Sequence, residues 1–168
     1  MSAAAKPKLT MRPFLPADTP LIAEIFRASI DELTADDYSD VQREAWASAA
    51  DDEGELGERV GKQLTILGLI GGSPVGFVSL KGTDELDMLY VHPAAAGHGV
   101  GSMLLDAVER LAAARGARRL VADASDSAQE FFRKHGFVPT QRNSVPLGGE
   151  WLANTTMEKK LAAKERTP

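Results

Sequence analysis

Three alternating glycines, Gly97, Gly99 and Gly101, stand between an apolar segment and a stretch with helical periodicity. Because glycine has no Cβ, the backbone of such a segment can approach a ligand closely. The first turn of the helix that follows offers unpaired N–H groups and the positive end of the helix dipole. Residues 97–102 are therefore predicted to bind an anion such as a phosphate group. The same glycines would also suit an ordinary tight turn with nothing bound.

Two common phosphate-binding motifs do not fit this spacing. A P-loop ends in Gly-Lys-Ser/Thr, whereas Gly101 is followed directly by Ser102. A Rossmann fingerprint has G-x-G-x-x-G directly after its strand and an acidic residue about 20 positions further on. Asp123 lies at such a distance, but Ser102 occupies the place of the third glycine, and Pro93 and three alanines separate the glycines from the preceding strand. We therefore reject both motifs.

The elements around the glycines follow from hydrophobic periodicity. Strands are predicted at residues 9–14, 64–70, 75–80 and 85–91, after which the glycine segment opens a helix at 102–115. Helices are also predicted from Thr19 and from Ser39, whereas residues 51–61 contain three glycines and are expected to be weakly helical at best. A strand at 120–124, a helix at 127–134 and closing strands at 137–145 and 151–161 complete the chain.

This order of elements predicts a mixed α/β (α+β) fold. An antiparallel meander comes first, and a strand–helix–strand step then implies parallel pairing between residues 85–91 and 120–124. We expect a central mixed sheet of about six to seven strands flanked by about four helices.

Length and charge restrict the class of protein. The chain has 168 residues, 43% of them hydrophobic, which suits one domain at residues 9–161 between a disordered segment at 1–8 and a frayed tail at 162–168. Its net charge of −5 is unlike that of a nucleic-acid binder. There is no long apolar span and no signal-peptide pattern at the start, so we expect a cytoplasmic protein without a membrane or nucleic-acid partner. The absence of cysteine excludes disulfides, thiolate metal sites and a cysteine nucleophile.

Two motifs resemble the signature of the GNAT N-acetyltransferases. Residues 89–93 (Leu-Tyr-Val-His-Pro), followed by Gly97-x-Gly99-Val100-Gly101, are similar to the acetyl-CoA segment of that family, in which a proline and Arg/Gln-x-x-Gly-x-Gly/Ala follow a strand that ends in valine. Residues 128–137 (Ala-Gln-Glu-Phe-Phe-Arg-Lys-His-Gly-Phe) resemble its A-x-x-F-Y-x-x-x-G-F segment. Residues 157–161 are similar to its final strand, so the resemblance extends over residues 9–161.

The resemblance implies that acetyl-CoA is a co-substrate, held partly in a gap between strands 85–91 and 120–124, and that no metal is needed. The residues expected to bind it are Leu89, Tyr90, Val91, Ala96, Gly97, His98, Gly99, Val100, Gly101, Ser102, Ser125, Ala128, Phe131 and Phe132. Three of them depart from the family pattern. Ala96 replaces an arginine or glutamine, Ser125 replaces a frequent asparagine, and Phe132 replaces the tyrosine that protonates the departing thiolate in many relatives.

The resemblance further implies transfer of an acetyl group to a primary amine, and the lack of cysteine favours direct attack in a ternary complex. A carboxylate on the central strand would be the base, directly or through water. Glu85 and Asp87 share one face of that strand, with Asp87 nearer the thioester end. The N–H near Tyr90 or Val91 would polarise the thioester oxygen. Tyr38 is a candidate acid in place of Phe132. The alternative is that Tyr38 lines the acceptor pocket and has no catalytic role.

The acceptor is expected to be a small-molecule or peptide amine. Its site would be formed by the first two helices and the hairpin at 143–151, with the side chains of Phe26, Ile30, Tyr38 and Trp46. The acidic residues between 36 and 53 would favour a cationic amine, and a solvated acidic face explains them equally well. A different class of function also fits the departures at Ala96 and Phe132, namely a non-catalytic acyl-CoA-binding sensor or interaction module. A homodimer is left open.

Overall fold

A computed structural model describes residues 7–162 of the chain. The predictions of a disordered segment at 1–8 and a frayed tail at 162–168 lie outside these residues, apart from residues 7, 8 and 162. The described part contains seven strands and five α-helices: β1 (Leu9–Pro13), α1 (Thr19–Leu33), α2 (Asp40–Ala47), α3 (Glu53–Gly61), β2 (Leu64–Ile70), β3 (Ser73–Lys81), β4 (Glu85–Val91), α4 (Val100–Ala114), β5 (Arg119–Ser125), α5 (Gln129–Lys134), β6 (Val138–Leu147) and β7 (Glu150–Lys160). None of these helices is both long enough and apolar enough to cross a membrane.

All seven strands form one sheet in the order β1-β2-β3-β4-β5-β7-β6. Neighbouring strands are antiparallel except for β4 and β5, which are joined through α4 and pair in parallel. The predicted mixed α/β fold, with its meander and its parallel step, is therefore confirmed. The parallel ladder consists of only two residue pairs, Glu85 with Val121 and Leu86 with Ala122. Beyond these pairs the strands no longer bond to each other, and a gap opens toward their C-terminal ends.

The helices cover both faces of the sheet and bury a separate core on each. On one face α4 packs Leu104, Leu105 and Val108 against the strands, together with aromatic residues from α5 and the turn after it. On the other face α1 and α3 form the second core, in which Ile22 and Phe26 lie against the meander. The gap between β4 and β5 thus lies between two rigid, well-packed layers.

Helix α3 contradicts the expectation that residues 51–61 are weakly helical at best. The side chain of Asp52 caps the helix by accepting a hydrogen bond from the backbone N–H of Glu55 at 3.0 Å. Leu56 and Val60 follow one helical turn apart and are 2% and 0% exposed. Their burial outweighs the loss of about 1 kcal/mol that each interior glycine causes in a helix. This helix is also the reason why five α-helices are found instead of about four.

A β-bulge interrupts β4 at Asp87. Ser79 of β3 pairs with Met88, and Leu80 pairs with Leu86, so that Asp87 has no partner opposite it. Leu86 consequently packs in the core under α4, whereas Met88 packs in the core under α1. The bulge explains why the hydrophobic alternation of this strand is irregular, and such bulges re-aim side chains beside functional sites.

Candidate functional site

A cleft of about 350 Å³ occupies the gap between β4 and β5. It brings together all the residues predicted to bind acetyl-CoA except His98: Leu89, Tyr90, Val91, Ala96, Gly97, Gly99, Val100, Gly101, Ser102, Ser125, Ala128, Phe131 and Phe132. The lining is completed by Ser29 and Leu33 of α1, Trp46 of α2, and three residues outside the α-helices, Thr34, Ala95 and Ser127. No charged side chain of residues 7–162 belongs to this lining, so an anion in the cleft would be bound by backbone groups and helix polarity.

The glycine segment leaves the start of α4 uncapped. Gly97 and Gly99 have φ angles of +81° and +84°, a region that costs other residues about 1–2 kcal/mol. Gly99 is the N-cap residue of α4, and no side chain accepts a hydrogen bond from the first turn at this cap. The first N–H groups of the helix therefore remain available at the cleft, next to a partial positive charge of about +0.5.

Gly101 has a packing role that the sequence did not reveal. A Cβ at this position would lie 3.4 Å from the ring of Phe131, so the glycine allows α5 to pack closely against the first turn of α4. His98 turns back on its own loop, where its Nδ1 lies 3.2 Å from the carbonyl oxygen of Ala95 and 3.1 Å from that of Ala96. His98 therefore does not supply the contact that an arginine at position 96 would make in the cleft.

Ser102 and His135 form an unpredicted contact at the start of α4. The Nε2 atom of His135 lies 3.0 Å from the Ser102 hydroxyl, and its Nδ1 atom lies 2.7 Å from the carbonyl oxygen of Phe131. Since a carbonyl can only accept, Nδ1 carries the hydrogen, and in the neutral ring Nε2 accepts from the hydroxyl. The contact fixes the Ser102 side chain where the anion is expected.

The structure brings neither of the two predicted base residues into the cleft. The Asp87 carboxylate accepts hydrogen bonds from Nε and Nη2 of Arg59 and from Nε2 of Gln63, each at 2.9 Å. Burial alone would raise the pKa of Asp87, but these hydrogen bonds together hold it below its usual range. Glu85 is exposed, and both carboxylates border a shallow cavity of about 280 Å³ at the start of β4, which Asp123 also lines. We call it the foot cavity.

The predicted acid residue, Tyr38, ties two distant parts of the chain together. Its hydroxyl donates to the carbonyl oxygen of Ala153 at 2.6 Å and accepts from the N–H of Asp126 at 2.9 Å. Burial raises the pKa of Tyr38. The side chain does not line the cleft, and its proton already has an acceptor.

A smaller cavity of about 130 Å³ adjoins the cleft, sharing Trp46, Tyr90 and Ser125 with it. We call it the side pocket. Its other lining residues are Tyr38, Asp123, Val145, Leu147, Leu152, Ala153 and Asn154. The side pocket lies where α2 and the β6–β7 hairpin meet, as predicted for the acceptor side. Phe26 and Ile30, which were expected to help form it, are 2% and 0% exposed and belong to the core. Burial raises the pKa of Tyr90 to about 12.

The comparison with known families decides what kind of protein has this cleft. The family described as the acetyltransferase (GNAT) domain matches residues 34–161. The chain belongs to the GNAT acetyltransferase family. This GNAT protein is therefore an N-acetyltransferase, as the two motifs predicted. Across residues 7–162, no group of three or more His, Cys, Asp or Glu side chains is arranged to hold a metal ion.

Several proteins are similar to this GNAT acetyltransferase. A crystal structure from Rhodopseudomonas palustris, described as "GCN5-Related N-acetyltransferase: Aminotransferase, Class-II", is 57% identical, with a TM-score of 0.89, and the match covers 96% of this chain and 99% of that one. The uncharacterized N-acetyltransferase YafP of Escherichia coli is 30% identical over 90% of this chain and 96% of its own length. A GNAT phosphinothricin acetyltransferase from Sinorhizobium meliloti, solved in complex with AcCoA, shares the fold at 22% identity, with a TM-score of 0.70 and coverage of 91% and 88%.

Proposed function

We propose that this GNAT acetyltransferase transfers the acetyl group of acetyl-CoA to a primary amine by direct attack in a ternary complex. The observation that carries the proposal is the uncapped start of α4 beside the open end of the β4–β5 gap. Acetyl-CoA has a pyrophosphate that suits such a helix start and a long amide-bearing arm that suits such a gap. The S. meliloti acetyltransferase, which has the same fold, was solved with AcCoA.

The space beside the glycine loop is compatible with a bound phosphate. A Cβ at Gly97 would meet nothing within 4 Å, and a Cβ at Gly99 would meet only Leu9, at 3.8 Å. The departure at Ala96 removes a charge-assisted contact worth about 1.5–3 kcal/mol in net stabilisation. The N–H groups of the loop and of the first turn of α4 would then provide most of the binding, because the hydroxyl proton of Ser102 is already donated to His135.

A backbone N–H supports the reaction at the thioester. His92 donates its N–H to the carbonyl oxygen of Val75 on β3 at 2.7 Å. Because alternate residues of a strand direct their N–H groups to opposite sides, the N–H of Val91 points away from β3 and toward the gap. A donor at this place would stabilise the negative charge that develops on the carbonyl oxygen during attack.

In the transfer, the amine nitrogen forms a bond to the acetyl carbon, the carbon–sulfur bond breaks, and the sulfur leaves as a thiolate. The amine must lose a proton before it attacks. Of the two predicted bases, Glu85 is the better placed to accept it, because the oxygens of Asp87 already accept three hydrogen bonds. Glu85 would act through a chain of waters from the foot cavity past Asp123, which lines both this cavity and the side pocket.

The side chain of Phe132 cannot donate a proton to the leaving group. A thiol has a pKa near 8.5, so departure as a thiolate at pH 7 costs roughly 2 kcal/mol. That cost corresponds to about 30-fold in rate, which good positioning can offset. The reaction therefore does not require the tyrosine that Phe132 replaces.

The proposal is tested by incubating the protein with acetyl-CoA and a panel of primary amines while free thiol is measured. We expect amine-dependent thiol release and an acetylated amine of matching amount. The alternative function, an acyl-CoA-binding sensor, predicts that acetyl-CoA raises the melting temperature while no amine releases thiol.

A further inference from the structure

We propose that the side pocket binds the acceptor as an alkylammonium ion with a short, unbranched apolar stem, and that Asp123 is the residue that positions this cation. The inference rests on the proposed N-acetyltransferase activity and specifies its substrate class. It comes from the juxtaposition of one carboxylate, three aromatic rings and an apolar hairpin next to the cleft.

Aromatic side chains form one wall of the side pocket. The ring centroids of Tyr38 and Trp46 are 5.4 Å apart, and those of Trp46 and Tyr90 are 6.3 Å apart, both in edge-to-face arrangements. Groups of aromatic rings attract organic cations because the face of each ring is negative. Trp46 and Tyr90 also line the cleft, so a cation held here would be adjacent to the acetyl donor.

Among residues 7–162, Asp123 supplies the only formal charge in the lining of the side pocket. Its Oδ1 atom accepts from the hydroxyl of Thr156 at 2.7 Å, and that hydroxyl accepts from Nδ2 of Asn143 at 2.8 Å. Asn143 also donates to Oδ1 of Asn154 at 2.9 Å. This network fixes the orientation of the carboxylate, and no other side-chain hydrogen bond to it occurs among the described residues.

The cations near Asp123 are paired with other carboxylates. Arg119, which shares the foot cavity with Asp123, forms an ion pair with Glu158 at 3.3 Å. Arg142, on β6 beyond the neighbouring strand β7, pairs with Asp126. Within residues 7–162 no lysine, arginine or histidine lines the side pocket itself. A positive charge on the acceptor would therefore meet an uncompensated negative one.

The apolar wall and the volume of the side pocket limit which carbon chain can follow the ammonium group of the acceptor. Val145, Leu147 and Leu152 of the β6–β7 hairpin are apolar and suit a hydrocarbon stem. A volume of about 130 Å³ resembles that of a cavity that accepts one benzene molecule, so a chain of about four or five heavy atoms fits. An amine with a carboxylate on the adjacent carbon would place that carboxylate near Asp123 and be repelled. The expected acceptors therefore include free alkylamines and lysine side chains, and they exclude amines at the α-carbon of an amino acid.

The test compares amines that have a carboxylate on the adjacent carbon with amines that lack one. Wild-type protein is assayed for thiol release with n-butylamine, with 2-aminobutyrate and with Nα-acetyl-lysine amide. We expect kcat/KM at least tenfold higher for n-butylamine or the lysine derivative than for 2-aminobutyrate. A higher kcat/KM for n-butylamine than for the lysine derivative indicates a small-molecule acceptor, and the reverse order indicates a peptide acceptor. A preference for 2-aminobutyrate would overturn the substrate class while leaving the N-acetyltransferase activity intact, whereas no thiol release with any amine would contradict that activity itself.

The role of Asp123 is tested by Asp123→Asn, which keeps an oxygen to accept from Thr156. We expect KM for the alkylamine to rise 10- to 100-fold, with kcat and the KM for acetyl-CoA within threefold of wild type. The KM of the wild type should also rise with salt, and this dependence should weaken in the variant. The control is Asp106→Asn, which removes an equal charge from the exposed side of α4, outside the foot cavity and the side pocket. An unchanged amine KM in Asp123→Asn, or an equal rise in Asp106→Asn, would refute the positioning role.

Discussion

The hydroxyl of Tyr38 donates a hydrogen bond to the carbonyl oxygen of Ala153, 115 residues further along the chain, at a distance of 2.6 Å. The same hydroxyl accepts from the N–H of Asp126. The bond joins the connection between α1 and α2 to β7, and so holds the two sides of the side pocket in place. We therefore expect Tyr38 to stabilise the structure rather than to act as the acid. A single substitution distinguishes the two roles.

Replacing Tyr38 by phenylalanine should destabilise the protein more than it slows the reaction. The change leaves a carbonyl and an N–H without their partner, which costs about 1–3 kcal/mol of unfolding free energy. Denaturant unfolding measures that loss, and kcat at saturating acetyl-CoA should stay within about fivefold if no proton passes through the hydroxyl. A fall of 100-fold in kcat with normal stability would instead establish Tyr38 as the acid.

Gly99→Glu should abolish the stabilisation that acetyl-CoA gives. At 100 times its Kd, a ligand that binds only the native state adds about 2.7 kcal/mol, or roughly 5–10 °C in Tm for a chain of this size. The glutamate brings bulk and negative charge to the place where phosphates are expected. Gly116→Glu is the matched control, because Gly116 has a φ of +90° and open space around it at the other end of α4. Equal Tm shifts in both variants would show that the glycine loop does not bind the co-substrate.

Phe132→Tyr should be tolerated and should raise turnover by at most about 30-fold, the limit set by the cost of releasing a thiolate at pH 7. Phe132 lines the cleft and is 4% exposed, with its ring packed on Phe131 and Phe137. The gain should be largest well below the thiol pKa of about 8.5, where releasing a thiolate instead of the protonated thiol costs most. A pH series of kcat measures it. A loss of more than tenfold would mean that the cleft needs an apolar ring at this position.

Glu85→Gln should lower kcat/KM for the amine more than Asp87→Asn does. If Glu85 removes the proton, the plateau at high pH should drop by about 10²–10⁴-fold. Asp87→Asn should mainly cost stability, about 1 kcal/mol, because it breaks the partly exposed ion pair with Arg59. Both changes are isosteric, so unchanged acetyl-CoA affinity would separate chemistry from binding. If both variants keep near-normal rates, the protein takes the neutral fraction of the amine from solution.

Lowering the pH should reduce the free energy of unfolding, because Asp18 becomes protonated and loses its ion pair with Arg12. Its carboxylate accepts from Arg12 at 2.7 and 2.8 Å and from the N–H of Leu15 at 2.8 Å, and the hydrogen bonds from Arg12 are the main reason that the pKa of Asp18 is lowered. A lowered folded-state pKa means that the contribution is complete above the unfolded value of about 3.9 and is lost as the pH falls through the folded value. Asp18→Asn should therefore be about 1–2 kcal/mol less stable than wild type at pH 7, with the difference shrinking below pH 4.

Urea unfolding at pH 7 and at pH 3 measures this difference. Asp106→Asn serves as the control, because Asp106 is 59% exposed in its ion pair with Arg110 and should change stability by less than about 0.5 kcal/mol at either pH. A constant difference between wild type and Asp18→Asn across this pH range would contradict the assigned pKa direction.

The features predicted correctly from the sequence are those set by residues close together along the chain. The glycine segment, α4 and the parallel step followed from local composition and periodicity. Most residues that line the cleft followed from the family resemblance, whereas those contributed by α1 and α2 were not predicted to line it. Helix α3 was missed because Leu56 and Val60 are stabilised by a core that local propensity does not describe. The partners of Asp87 are 28 and 24 residues away, at Arg59 and Gln63, and nothing in their spacing indicates the contact.

Asp123 shows the same limit at the candidate site. In the sequence it appeared only as the acidic residue of a dinucleotide-binding motif that did not fit. Its position in the side pocket depends on the pairing of β5 with β7, where Asp123 lies opposite Thr156. Such long-range register cannot be read from one sequence when both strands carry alternating polar residues.

Because β4 and β5 separate after two residue pairs, each of them has an unpaired edge inside the sheet. After Glu85 and Leu86 pair with β5, the backbone groups of residues 89–91 that point into the gap have no strand to bond. Edges on the outside of a protein invite pairing with other chains, whereas these are walled in by α1 on one face and α4 on the other. An extended ligand that carries amide groups can therefore behave as a temporary strand. When it binds, the hydrogen-bonded ladder becomes continuous, and amide exchange at residues 89 and 91, whose N–H groups face the gap, slows as it would on forming new sheet.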